Sequence, residues 1–186
     1  MMTFLPYPSF VQTARCLDDM RLGSQRREAL GVLTMLRSTR TDPVGSRHKG
    51  QLIVRQWYGY EASLQIYLKI IIGEWVARGF QNNIKLESIA TVTDVPNWLG
   101  DELFHRAQKE VLVKKAWLAF HAGTPLPEQY DYRLRWPDIT TEDAEAAEYV
   151  WPVSPYYMEV IRANIDHPDI RNKRWAVTAL KRIYNG

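Results

Sequence analysis

Cysteine is almost missing from this chain of 186 residues, and its single copy, Cys16, excludes an internal disulfide and any zinc site built on cysteines. Long apolar runs are missing too. The most apolar stretch, IYLKIIIGEWVA, is interrupted by Lys69 and Glu74 well short of the roughly 18 apolar residues that a membrane span requires. The opening MMTFLPYPSF has neither the basic start nor the long apolar region of a signal peptide, so no membrane partner and a cytoplasmic location are expected. The signatures GxxxxGKS/T, HExxH, GxSxG and HxE…PCxxC do not occur, which argues against the P-loop enzymes, zincins, serine hydrolases and zinc deaminases that carry them. The four histidines, His48, His105, His121 and His167, show no ligand spacing, and neither a metal nor a cofactor is expected. There is no strand series and no internal repeat.

What remains is helical periodicity and an uneven distribution of charge. A content of 46% hydrophobic residues is enough to bury a sizeable core, and the periodicity predicts an all-α fold. Ser9 is placed to cap a helix over residues 9 to 36, broken near Leu22 and Gly23. A second helix spans residues 51 to 78, where Gly79 is placed to end it. A third covers residues 98 to 119, with Asp94 as a cap for its approach, and a last one covers 168 to 184. The aromatic segments QYDYRLRW and EYVWPVSPYY read as irregular, sealing the core or offering a stacking surface. The formal charge is +3, yet the window DITTEDAEAAE holds five acids and no base. Residues 15 to 55 carry a local +5 and residues 168 to 186 a local +4, a polyanion footprint that fits nucleic acid and that solvated helix faces would also produce.

The stretch RLGSQRREAL concentrates this charge. On a helix, Leu22, Ala29, Leu33 and Leu36 form an apolar stripe, and Arg21, Gln25 and Glu28 line its border at i, i+4 and i+7. A carboxylate among guanidiniums can stabilise a developing cation or exchange protons; alternatively, Glu28 pairs with Arg21, Gln25 or Arg27 on a wet surface. Glu61 has two readings as well, a partner for an arginine or a second acid. Trp57, Tyr58, Tyr60 and Trp75 read as core, with base stacking as the alternative for any exposed ring.

Three blocks, LDDMRLGSQRREALGVL, HKGQLIVRQWYGYEASLQIYLKIIIGEWVARGF and DVPNWLGDELFHRAQ, resemble in order the pyrimidine-dimer DNA glycosylases of the phage endonuclease type and their uncharacterised bacterial and phage relatives. The resemblance runs over roughly residues 4 to 153 and includes the helix end Arg78, Gly79 and Phe80. It implies a compact helical domain over 1–153 with its N-terminal segment threaded between helices, followed by a basic helical extension over 154–186. It also implies glycosidic cleavage at a damaged pyrimidine in double-stranded DNA and strand cleavage at the abasic site. Residue by residue, Glu28 falls on the family's catalytic glutamate, and Arg27 on a DNA-contacting arginine. Arg21 takes the place of a basic residue, and His105 matches a histidine of its block. A further family arginine would fall on Gly31, and Arg26 is the candidate to replace it. With Gln25 on the same border, and Arg171 and Arg174 on the C-terminal helix, these make up the expected DNA-binding set. In the family the nucleophile is the α-amine of a processed N-terminal threonine, which points to Thr3; preceded by Met1 and Met2, Thr3 has a free amine only if both are removed. The alternatives are a DNA-binding protein that keeps the scaffold without the chemistry, and action on another base.

Overall fold

The computed structural model describes residues 2–86, 88, 94–121 and 150–184. Met1, the acidic window 138–148 and the segment QYDYRLRW lie outside the described residues. Among them the chain forms seven helices and no strand: α1 (Phe10–Cys16), α2 (Asp19–Thr41), α3 (Leu52–Trp57), α4 (Glu61–Ala77), α5 (Glu102–His121), α6 (Pro155–Ile165) and α7 (Ile170–Tyr184). The all-α expectation holds.

The long first helix of the sequence reading is two helices, and the break falls at Leu17 and Asp18 rather than at Leu22 and Gly23. Ser9 caps α1 by accepting from the Gln12 backbone N–H. Asp18 then restarts the chain as the cap of α2, its Oδ1 accepting the Arg21 backbone N–H at 2.9 Å. Gly23 stays helical because it is where α2 meets α4: a Cβ there would stand 2.9 Å from Trp75 Cζ3. The second expected helix also divides. Gly59 takes φ +86° between α3 and α4, and a Cβ at that position would run into the Tyr156 ring. Asp101, not Asp94, caps α5, its Oδ1 accepting the Leu103 and Phe104 backbone N–H groups. Asp94 instead accepts the Tyr156 hydroxyl.

The motif Arg78–Gly79–Phe80 closes the bundle. Gly79, at φ +89°, ends α4, and Phe80 folds back to stack on Trp75 at 4.1 Å. Arg78 donates to the carbonyls of Ala14, Arg15 and Leu17 and to the carboxylates of Asp19 and Glu74. One guanidinium thus satisfies the exposed carbonyls at the end of α1 and ties the α1–α2 corner to α4.

Residues 2–6 are buried, and the extended N-terminal segment runs through the middle of the helices. Leu5 within it and Trp57, Tyr67, Phe104, Leu22 and Leu64 on the helices are among the fully buried side chains. Helix α6 was not expected from the sequence. It packs against α7, with Ile161, Ala176 and Ala179 buried on the two helices, and it joins the bundle at α3, where Ser154 donates its N–H to Arg55 O and its hydroxyl to Tyr58 O at 2.5 Å. None of the described helices is long and apolar enough to cross a membrane.

Candidate active site

Helix α2 presents Gln25 and Glu28 one turn apart toward the buried N-terminal segment. Gln25 is fully buried. Its Nε2 donates to Met2 O at 3.1 Å, and its Oε1 accepts the Phe4 N–H at 2.9 Å. Glu28, half-buried, accepts the Met2 N–H on Oε2 at 2.5 Å. The nitrogen that faces the carboxylate therefore belongs to residue 2. Thr3 is buried, and its hydroxyl accepts the Trp57 indole N–H at 2.9 Å.

Two further contacts complete the cradle. The Tyr67 hydroxyl lies 2.8 Å from Gln25 Oε1 and 3.0 Å from Phe4 O, so its one proton is shared between two acceptors. Burial, reinforced by the charge of Glu28, pushes the Tyr67 phenol well above its usual range and keeps it a donor. On the other side, His105 Nδ1 stands 2.7 Å from Leu5 O, while Gly100 donates its N–H to His105 Nε2 at 2.9 Å. Those partners require the neutral ring with its proton on Nδ1, and burial lowers the histidine pKa accordingly. From α5, the ammonium groups of Lys109 and Lys115 lie over the rings of Tyr7 and Phe4 at 4.5 and 5.4 Å.

The arginines of RLGSQRREAL go to three environments. Arg21 is buried, its side chain 9% exposed and its guanidinium paired with the Asp18 carboxylate at 2.5 Å. Arg26 lies 4.1 Å from the Trp75 ring centre and donates to Asn82 Oδ1 at 3.1 Å. Arg27 is exposed and makes no ion pair among the described residues. Glu61 is 3.7 Å from Arg40 Nε, at the first turn of α4, and Trp57, Tyr58, Tyr60 and Trp75 are buried in the core. Arg171 and Arg174 are exposed on α7, far along the chain from this cluster, and Arg171 is held by Asp169 at 2.8 Å. Cys16, the last residue of α1, is buried, and burial raises its thiol to about 12, which leaves it no thiolate for chemistry. No group of three or more His, Cys, Asp or Glu side chains gathers into a metal-binding set among the described residues.

Trp57 and Tyr67 are the site residues that sequence reading missed. Both sit on apolar helix faces where packing accounts for an aromatic ring, and their polar ends reach backbone and side-chain groups that only the threaded segment brings near.

An acid on a helix border, set against the backbone nitrogen of a buried N-terminal segment and flanked by an exposed arginine, defines an all-α scaffold built around an acid–nitrogen pair. The family profile of the pyrimidine dimer DNA glycosylases matches residues 1–88, the part of the chain that carries the pair. No curated protein and no solved structure matches the chain.

Proposed function

We propose that this protein binds duplex DNA, turns a damaged or modified pyrimidine out of the stack and cleaves its glycosidic bond, with Glu28 as the catalytic carboxylate. The observation that carries the reading is the 2.5 Å contact between Glu28 Oε2 and the nitrogen of residue 2. In a chain beginning at residue 2 that nitrogen is an amine. Its lone pair forms a bond to C1′ of the sugar as the C1′–N bond breaks, the bonding pair leaves with the base, and the base takes up a proton. Glu28 accepts a proton from the attacking nitrogen; the C1′–O4′ bond then breaks as O4′ takes up that proton, and Glu28 offsets the positive charge of the resulting protonated imine. Loss of a C2′ proton from that imine, with expulsion of the 3′ phosphate, supplies the strand cleavage. Arg27, exposed on the same helix, holds phosphate, while Arg171 and Arg174 extend the contact along α7. Because Arg21, Gln25 and His105 are buried among internal partners, their part in this reading is to place the segment and helix that carry the chemistry. A base inside a duplex is out of reach of a half-buried carboxylate, which is why extrusion belongs to the mechanism.

One observation favours a second reading. With Met1 in place, the nitrogen at Glu28 is an amide and cannot attack, so that form would bind DNA without forming an imine at residue 2.

The test is Glu28→Gln assayed on duplexes carrying a panel of pyrimidine lesions and an abasic site. Size and most hydrogen bonding are kept while the charge is lost, so binding is expected to persist and cleavage to fall roughly a hundredfold or more. Full activity in Glu28→Gln would reduce Glu28 to a hydrogen-bond partner of the N-terminal segment.

A further inference from the structure

We infer that Gln25 is a positioning residue whose side-chain amide sets which backbone nitrogen of the N-terminal segment faces Glu28. The inference rests on the proposed chemistry of that nitrogen. Gln25 pairs with the segment as a residue of a parallel strand would, donating to the carbonyl of residue 2 and accepting from the N–H of residue 4. An extended chain turns successive N–H and C=O groups to opposite edges, so a slip of one residue would point both partners away from Gln25. A slip of two residues that brought residues 4 and 6 into these places would set Pro6, which has no N–H, against Gln25 Oε1.

Only one register thus satisfies the buried amide. Since Gln25 and Glu28 lie one turn apart on the same helix, gripping the carbonyl of residue 2 with one fixes its nitrogen at the other. The Tyr67 hydroxyl at 2.8 Å holds Gln25 Oε1 in place, and the Trp57 bond to Thr3 Oγ1 secures the residue between the two Gln25 contacts. None of these groups faces open water, so a slipped segment would leave unmade bonds that solvent does not replace.

The experiment uses full-length chains cut by a specific protease to begin at residue 2 or at residue 3, and measures borohydride trapping on a duplex with an abasic site. Wild type beginning at residue 2 is expected to trap at least tenfold faster than wild type beginning at residue 3. In Gln25→Met the affinity for a duplex with a non-reactive tetrahydrofuran site is expected to stay within about threefold, the maximal trapping rate to fall at least tenfold, and the preference between the two start points to collapse toward one. A purely structural role would lower thermal stability and leave the rate at saturation and the start-point preference unchanged; that result overturns the inference. Should Gln25→Met not fold, Tyr67→Phe removes the hydroxyl on Gln25 Oε1 while keeping the ring, and an unchanged preference there overturns it equally. Absence of trapping by wild type beginning at residue 2 sinks the amine chemistry and this inference together. Trapping undiminished by Glu28→Gln removes Glu28 from the proposed chemistry and leaves the Gln25 comparison to decide the register.

Discussion

Arg21 and Arg27 stand six residues apart on one helix, one buried and one exposed, and under the proposed function two substitutions separate their roles. The Arg21 side chain is 9% exposed and the Asp18 side chain is fully buried, with 2.5 Å between their charged atoms. Arg21→Met leaves the Asp18 carboxylate in a dry site without its partner, and removing one member of a buried pair costs about 3–5 kcal/mol. For a domain of this size that is a fall in Tm of roughly 10 °C. Asp18→Asn combined with Arg21→Met leaves no charge buried and is expected to recover much of the loss. Arg27 is exposed and makes no ion pair among the described residues, so Arg27→Gln is expected to hold stability within about 0.5 kcal/mol. In duplex binding the order reverses. The slope of log K against log salt is expected to flatten by about 0.9 for Arg27→Gln, one phosphate contact, and to remain unchanged for folded Arg21→Met. Calorimetry and binding titrations at several salt concentrations read both quantities. A slope lowered by about one unit in Arg21→Met with its Tm intact would refute the assignment.

Gly23→Ala is expected to lose about 1 kcal/mol despite the better helix propensity of alanine, because the new Cβ meets Trp75 at 2.9 Å and that indole is pinned by its bond to Gln81 O, by Phe80 and by Arg26. A rise in Tm would show that the α2–α4 contact has slack. On α7, Arg174→Glu with Lys181→Glu is expected to weaken duplex binding severalfold at low salt, to lose that effect near 1 M salt and to leave Tm unchanged, since both side chains are exposed; equal affinity at low salt removes α7 from the DNA interface. His105 is held neutral, with a pKa below its ordinary 6.5 because of burial, so between the two values the unfolded chain binds the extra proton. The stability from this group is present above about pH 6.5 and is lost as pH falls through the lowered value; His105→Gln is expected to flatten that limb of the Tm–pH curve, and an unaltered limb would assign it to other groups.

The helices were legible where one local rule decided them. Ser9 and Gly79 marked a start and an end correctly, because a cap hydrogen bond and a positive φ are properties of single positions. The errors came where tertiary contacts outranked propensity. Gly23 looked like a helix breaker, yet its missing Cβ is what admits Trp75, and the true break at Asp18 carried an ordinary capping residue whose charge also meets Arg21 and whose neighbour Asp19 meets Arg78. Gly59 breaks the second helix to clear Tyr156, a residue almost a hundred positions away. Helix α6 did have a local signal, a serine cap followed by proline at the first helical position, but the aromatic run around it read as irregular chain.

The site divides along the same line. Helical spacing put Arg21, Gln25 and Glu28 on one border, and in the structure Gln25 and Glu28 meet the segment holding the nitrogen of residue 2 while Arg21 meets Asp18. Spacing could not say which side of the border was wet. A guanidinium on a border reads as a phosphate contact, and Arg21 is instead consumed by a carboxylate three residues earlier; a glutamine reads as a polar rim, and Gln25 is instead a surrogate strand edge for an N-terminal segment more than twenty residues upstream. The family resemblance pointed to Thr3 by residue type, and the nitrogen that meets Glu28 belongs to residue 2. Sequence reading asks which residue type suits an N-terminal amine, whereas the register is fixed by backbone groups that every residue carries, and here they are counted off by a helix amide, a tyrosine hydroxyl and the missing N–H of Pro6.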